Sequence, residues 1–257
     1  MCLILFALKT GPDHPLVIAA NRDEFYGRPT AAAAPWPDAP HIVGGRDLRE
    51  GGSWLGITLD GRWAAVTNFR DVSLPRSDAP SRGHLVGDFL RGDLSPADYV
   101  EQLRPSASSY NGFNLLVGDP RTVVWYSNRS DDHPLLAMPL PPGIYGLSNH
   151  LLDTPWPKIV RGKRELAKAL APGADPDAIM ETLLDRTLAD DADLPSTGIP
   201  LEQERALSAL FIAGEAYGTR SSTVVLMRGD GRTTLVERAF HPVDGVEVNR
   251  HHLTIPA

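Results

Sequence analysis

The chain has 257 residues, 42% hydrophobic and 22% charged, a balance that excludes a disordered or fibrous protein and provides side chains for a full core. A formal charge of −7 and a pI near 5.6 argue against nucleic acid or an anionic membrane surface as partner, since both reward a concentrated positive field. The single cysteine, Cys2, excludes an internal disulfide framework, and no apolar run approaches the ~20 residues that span a bilayer.

Leu3 to Leu8 and Leu16 to Ala20 read as a hairpin turning through Thr10 to Pro15, with Cys2 at its open end. The opening run ends at Lys9 with no basic stretch before it, which does not fit a secretion signal, so a cytoplasmic location is expected. The second strand runs into Asn21-Arg22-Asp23-Glu24, a polar tetrad that the hairpin places beside Cys2. Pro29 to Pro40 reads as an extended surface segment, and Gly44-Gly45 and Gly51-Gly52 as turn and bulge positions. A phosphate cradle would need the Lys-Ser/Thr of a P-loop or a full GxGxxG, and neither is present.

Trp54 to Leu59 and Arg62 to Asn68 form a second predicted hairpin across Asp60-Gly61. Helices are predicted over Gly83 to Gly92, from Ser95-Pro96 onward, over Lys158 to Leu170 and Asp175 to Leu188, and over Leu201 to Leu210. Strands are predicted over Phe113 to Val117, Thr122 to Tyr126, a run ending at Tyr145 to His150, and a last hairpin of Thr219 to Leu226 with Thr233 to Phe240. Hairpins, then helices, then hairpins favour antiparallel sheet with segregated helices; two sheets packed face to face with helices outside would account for the elements. One domain over 1–257 is expected.

Scattered histidines without HExxH spacing make metal catalysis a poor fit, and Gly146 to His150 lacks the last glycine of a nucleophile elbow. What remains is Cys2 with the polar strand ends Asn21 to Glu24, Asn68, Asn149 and Arg220. Removal of Met1 would give Cys2 a free amine beside its thiol, a nucleophile with its own base. Asparagine amides are neutral donors for a tetrahedral oxygen, and a nearby acid can fix the amine.

Asn21-Arg22-Asp23-Glu24, Gly44 to Asp47 with Gly51 to Gly56, Val66 to Asp71, Tyr110 to Leu115, Tyr145 to Asn149 with Asp153 to Lys158, and Tyr217 to Thr223 together closely resemble the NRDE family. Its eukaryotic members are called transport and Golgi organisation protein 2. The resemblance covers nearly the whole chain and implies a four-layer αββα, N-terminal-nucleophile hydrolase-like fold of the α+β class. It also implies a distant similarity to the choloylglycine hydrolase and penicillin V acylase group. There an exposed terminal Cys, an Arg and an Asp three residues apart, two Asn and a distal Arg form the site. Cys2, Asn68, Asn149 and Arg220 match. For the strand-two pair, Asn21 and Glu24 keep the spacing, whereas Arg22 and Asp23 keep the residue types, and both assignments stay open.

The reading is therefore an N-terminal cysteine hydrolase of a C–N amide bond, or an ester or thioester, in a small acylated metabolite, with no cofactor required. The alternative is a non-catalytic binding or trafficking protein for haem or an acyl-lipid, since eukaryotic members of the family are linked to both.

Overall fold

The computed structural model describes residues 2–11, 13–70, 76–130, 132–170, 174–241 and 245–254, and for Cys2 its backbone. Met1, whose removal the cysteine reading requires, and Asp71 of the Val66 to Asp71 motif lie outside the described residues. The chain forms two compact units.

The first unit comprises residues 1–27, 142–148 and 152–253. Its sheet contains β1 (Cys2–Leu8), β2 (Leu16–Phe25), β9 (Gly143–Leu147), β10 (Tyr217–Met227), β11 (Arg232–His241) and β12 (Gly245–Thr254), in the order β12-β11-β10-β2-β1-β9. The first hairpin forms as expected, but β2 continues through Phe25, so the polar tetrad lies within a strand and not beyond its end. Ten residues of strand accommodate it because β10 pairs with β2 along the whole length and supplies the backbone ladder there. Leu3, Leu5, Ala7, Val17 and Ala19 pack one face of this sheet in a core with Ile159 and Leu166 of α3 (Pro157–Ala169) and with Ile179 and Met180 of α4 (Pro176–Thr182). Both helices open with a proline in the first turn, where a missing N–H costs nothing. Helix α4 is shorter than the Asp175 to Leu188 expectation, and α5 spans only Leu201–Ala206.

The second unit comprises residues 28–141, 149–151 and 254–257. Its sheet contains β3 (Thr30–Trp36), β4 (Ala39–Asp47), β5 (Leu55–Thr58), β6 (Trp63–Asn68), β7 (Phe113–Gly118) and β8 (Val123–Ser127), in that order. Antiparallel neighbours follow one another along the chain, as hairpin signals such as Asp60-Gly61 lead one to expect; Gly61 takes φ +86° in that turn. The Ala/Pro stretch from Pro29 to Pro40 is a correction. It forms β3 and the start of β4, because an edge strand tolerates Pro35 and because Trp36, 1% exposed, anchors the segment by donating from Nε1 to the Gly44 carbonyl at 3.0 Å. Gly44 and Gly45 lie inside β4, opposite a register shift in β3. Helices α1 (Gly83–Arg91) and α2 (Pro96–Leu103) close over the unit's core of Trp36, Ile42, Phe89, Val100 and Phe113, with Ser95 capping α2.

Candidate active site

In the first unit, strand pairing assembles most of the expected residues. The Cα partner of Cys2 is Arg22, whose partner on the other side is Ser221; Leu3 faces Asn21, which faces Ser222; Asp23 faces Thr219, and Glu24 faces Gly218. The tetrad thus runs with the start of β1 on one flank and Gly218 to Ser222 on the other. Side chains alternate along a strand, so Asn21 and Asp23 share one face of β2 and Arg22 and Glu24 the other.

The environments of the two candidate pairs differ sharply. Asn21 is 1% exposed. Its Nδ2 donates to the carbonyls of Leu183 (2.9 Å) and Leu210 (2.8 Å), and its Oδ1 accepts from Ser222 Oγ at 2.6 Å. Both amide hydrogens are thereby used in tying β2 to the segments after α4 and α5. Glu24 is half-buried, and its Oε1 accepts from the next residue's backbone, Phe25 N–H, at 2.8 Å. Arg22 and Asp23 are both buried.

Asp23 has the most elaborated surroundings. Thr219 Oγ1 donates to its Oδ1 at 2.7 Å and accepts from the Ile212 N–H at 2.9 Å, while Tyr217 donates its phenolic proton to the Asp23 carbonyl at 3.1 Å. Burial pushes the Asp23 carboxyl above its usual range; the positive charges of the amino terminus and Lys158, the Thr219 hydroxyl and the Arg22 charge pull it back. Arg220 occupies the register shift between Thr219 and Ser221, where its Nη1 donates to the carbonyls of Phe25 (2.9 Å) and Tyr26 (3.1 Å). It therefore clamps the exit of β2.

In the second unit, Asn68 ends β6, and Asn149, fully buried, donates from Nδ2 to the Asn68 carbonyl at 2.9 Å; the Arg70 N–H returns a bond to the Asn149 carbonyl at 2.7 Å. Asn114, also fully buried, donates to Thr67 Oγ1 (3.2 Å) and to the His150 carbonyl (3.0 Å). The His150 ring lies 5.0 Å from that of Phe69, and burial lowers its pKa.

Sequence reasoning passed over Lys158 and Thr219 as members of the site. Lys158 is 2% exposed in the first turn of α3, and its Nζ donates to the Leu207 carbonyl at 3.1 Å. The available signal was a lysine directly after Trp-Pro at a helix start, where a cation opposes the helix dipole. The first unit also holds a cleft of about 530 Å³ whose walls include Arg186, Leu188, Leu207, Phe211, Ile212 and Tyr217. Among the described residues no three His, Cys, Asp or Glu side chains cluster as a metal site, and no helix is long and apolar enough to cross a membrane.

The fold is of the α+β class, as expected: two six-stranded antiparallel sheets, each with helices packed on it. The chain aligns with the Caenorhabditis elegans ortholog of N-acylethanolamine-hydrolyzing acid amidase over 89% of its own length and 93% of the other's, with a TM-score of 0.51 at 12% identity, a likeness of fold. By sequence the chain belongs to the Transport and Golgi organisation 2 family, whose model matches residues 1–242. It is 37% identical to the Bos taurus Transport and Golgi organization protein 2 homolog, covering 93% of each chain, and 36% identical to the Homo sapiens homolog, covering 95% of each. The kinship expected from the NRDE motifs is the one these relatives show.

Proposed function

We propose that the chain is an N-terminal cysteine hydrolase that cleaves a C–N amide bond in a small acylated metabolite. In this reading, loss of Met1 leaves Cys2 with a free α-amine. The amine takes the thiol proton, the sulfur bonds to the acyl carbon, and the C–N bond breaks as the leaving amine receives that proton. Water then cleaves the thioester and restores the thiol. Asp23 orients the amine, Arg22 supports the developing charge, and Arg220 holds the strand end that carries both. Asn68 and Asn149 enter only through the motif resemblance, and both belong to the second unit.

The observation that carries the reading is the register of Cys2 opposite Arg22, with buried Asp23 the next residue along β2. It favours Arg22 and Asp23 over Asn21 and Glu24, because the Asn21 amide hydrogens are already used. The amidase named for the C. elegans fold relative is consistent with amide chemistry. An electrophilic acyl probe with peptide mapping tests it: labelling at Cys2 of a chain whose intact mass lacks Met1, abolished by Cys2→Ala, is the expected result. Retained Met1, or turnover indifferent to Cys2→Ala, overturns it.

The apolar cleft favours a second reading, non-catalytic binding of haem or an acyl-lipid. A haemin titration checks this one. A Soret shift that survives Cys2→Ala but is lost when Phe211 is replaced by a charged residue supports it; no shift removes the haem version.

A further inference from the structure

Each of the two sheets has two outer edges, and a strand there offers a row of N–H and C=O groups to another chain unless something blunts it. Three of the four edges carry such a device. Strand β3 contains Pro35 and shifts its register against β4. Strand β8 is covered by the segment that follows it: Ala137 N–H donates to the Trp125 carbonyl and Leu140 N–H to the Val123 carbonyl, both at 2.8 Å. Strand β9 is five residues long, and Asp153 covers its middle, donating its N–H to the Gly146 carbonyl at 2.8 Å and accepting the Gly146 N–H on Oδ1 at 2.7 Å.

The fourth edge is β12, and it is built differently. It runs ten residues, Gly245–Thr254, with no proline and no lysine, and the sheet order ends on it. Its one arginine, Arg250, is held at 2.6 Å by Asp177 of α4. Val246 and Val248, 57% and 56% exposed, share the Arg250 face of the strand. A long edge of this kind, with apolar side chains in water, is a template for a further strand.

The sequence of β12 fits a second copy of itself. Two copies of one edge strand pair antiparallel about a two-fold axis; an axis perpendicular to the sheet keeps every side chain on its own face, so only residues of like parity stand opposite. Two such registers lie nearest the middle of the strand. An axis at Arg250 sets two guanidinium groups opposite each other and Glu247 opposite Leu253. An axis at Asn249 instead sets Glu247 opposite His251 in both directions, Val248 opposite the stem of Arg250 and Val246 opposite His252. Charge complementarity selects the second. Within its own chain Glu247 meets Asn249 Nδ2 at 3.1 Å and His241 Nε2 at 3.8 Å, which leaves its carboxylate at the surface where the second copy arrives.

We propose that β12 is a self-association surface: two copies of this chain join edge to edge through it, antiparallel about a two-fold axis at Asn249, and the sheet of the first unit runs unbroken through both. The inference is independent of the Cys2 reading and stands or falls without it.

Sedimentation equilibrium of the full chain tests it. The native protein is expected to form a species of twice the 27.9 kDa chain mass. H251E sets Glu against Glu and weakens association roughly tenfold or more, V248K weakens it comparably, and E247K/H251E, with opposite charges again at that pair, returns it to within about threefold of native. Glu247 and Val248 are exposed and His251 half-buried, so circular dichroism of these variants is expected to match the native chain. A native chain that stays monomeric at high micromolar concentration overturns the inference. A dimer indifferent to both H251E and V248K overturns it too, since the contact would lie elsewhere, and a double variant as weak as H251E overturns the Asn249 register.

Discussion

Thr219 hands its hydroxyl proton to Asp23 across 2.7 Å while receiving one from the backbone of Ile212, so a single buried oxygen couples the polar tetrad of β2 to the segment after α5. Thr219→Val keeps the shape and removes both bonds. It leaves the Ile212 N–H and Asp23 Oδ1 each short of a buried partner, and the expected loss is about 1–3 kcal/mol. Urea unfolding measures it, with Thr219→Ser restoring most of the stability. A valine variant as stable as the native chain would mean that the hydroxyl links nothing.

Asp23 also predicts how stability depends on pH. Its folded carboxyl is raised above the usual 3.8, chiefly by burial. The folded state therefore holds the proton over a pH range in which the unfolded chain has released it, so stability attached to this group is full below 3.8 and is lost as pH rises through the folded value. Asp23→Asn cannot titrate. Its melting temperature relative to the native chain is expected to rise as pH climbs from below 3.8 to neutrality, and a gap that stays flat would contradict the buried-carboxyl account. The same variant is expected to lose Cys2 labelling, so a site that costs stability would be the one that supports reactivity.

Much of this arrangement was legible in the chain itself. Continuous apolar runs such as Leu3 to Leu8 mark strands buried on both faces, and Asp60-Gly61 marks its hairpin, because local chemistry decides both. The tetrad's place inside β2 was not legible: four polar residues read as a strand end unless one knows that β10 runs alongside them. Pro35 in β3 was misread for a related reason, since its tolerance depends on lying at a sheet edge. Strand β12 escaped notice because its residues are mostly exposed and carry no buried run. The choice between Arg22 with Asp23 and Asn21 with Glu24 turns on carbonyls some 160 to 190 residues away in sequence, which no local pattern encodes.

Those carbonyls make Asn21 a structural clamp. Asn21→Ala strands the Leu183 and Leu210 carbonyls and the Ser222 hydroxyl in a buried site, and the expected cost is about 2–4 kcal/mol by chemical denaturation. Among molecules that remain folded, Cys2 labelling is expected to stay within roughly threefold of the native rate, since Asn21 is assigned no part in the chemistry. A large drop in labelling at full stability would return Asn21 to the reacting set.

Gly218 carries a steric version of the same argument. A Cβ there would meet the Ile212 carbonyl oxygen at 2.6 Å and, closer still, the Tyr26 hydroxyl. The tyrosine tip can swing aside, but Ile212 is held by its two bonds to Thr219, so relief requires the segment after α5 to move away from β10. Gly218→Ala is therefore expected to cost about 1–3 kcal/mol by overpacking. Urea unfolding measures that loss. A Gly218→Ala variant as stable as the native chain would show that the segment carrying Ile212 yields without cost.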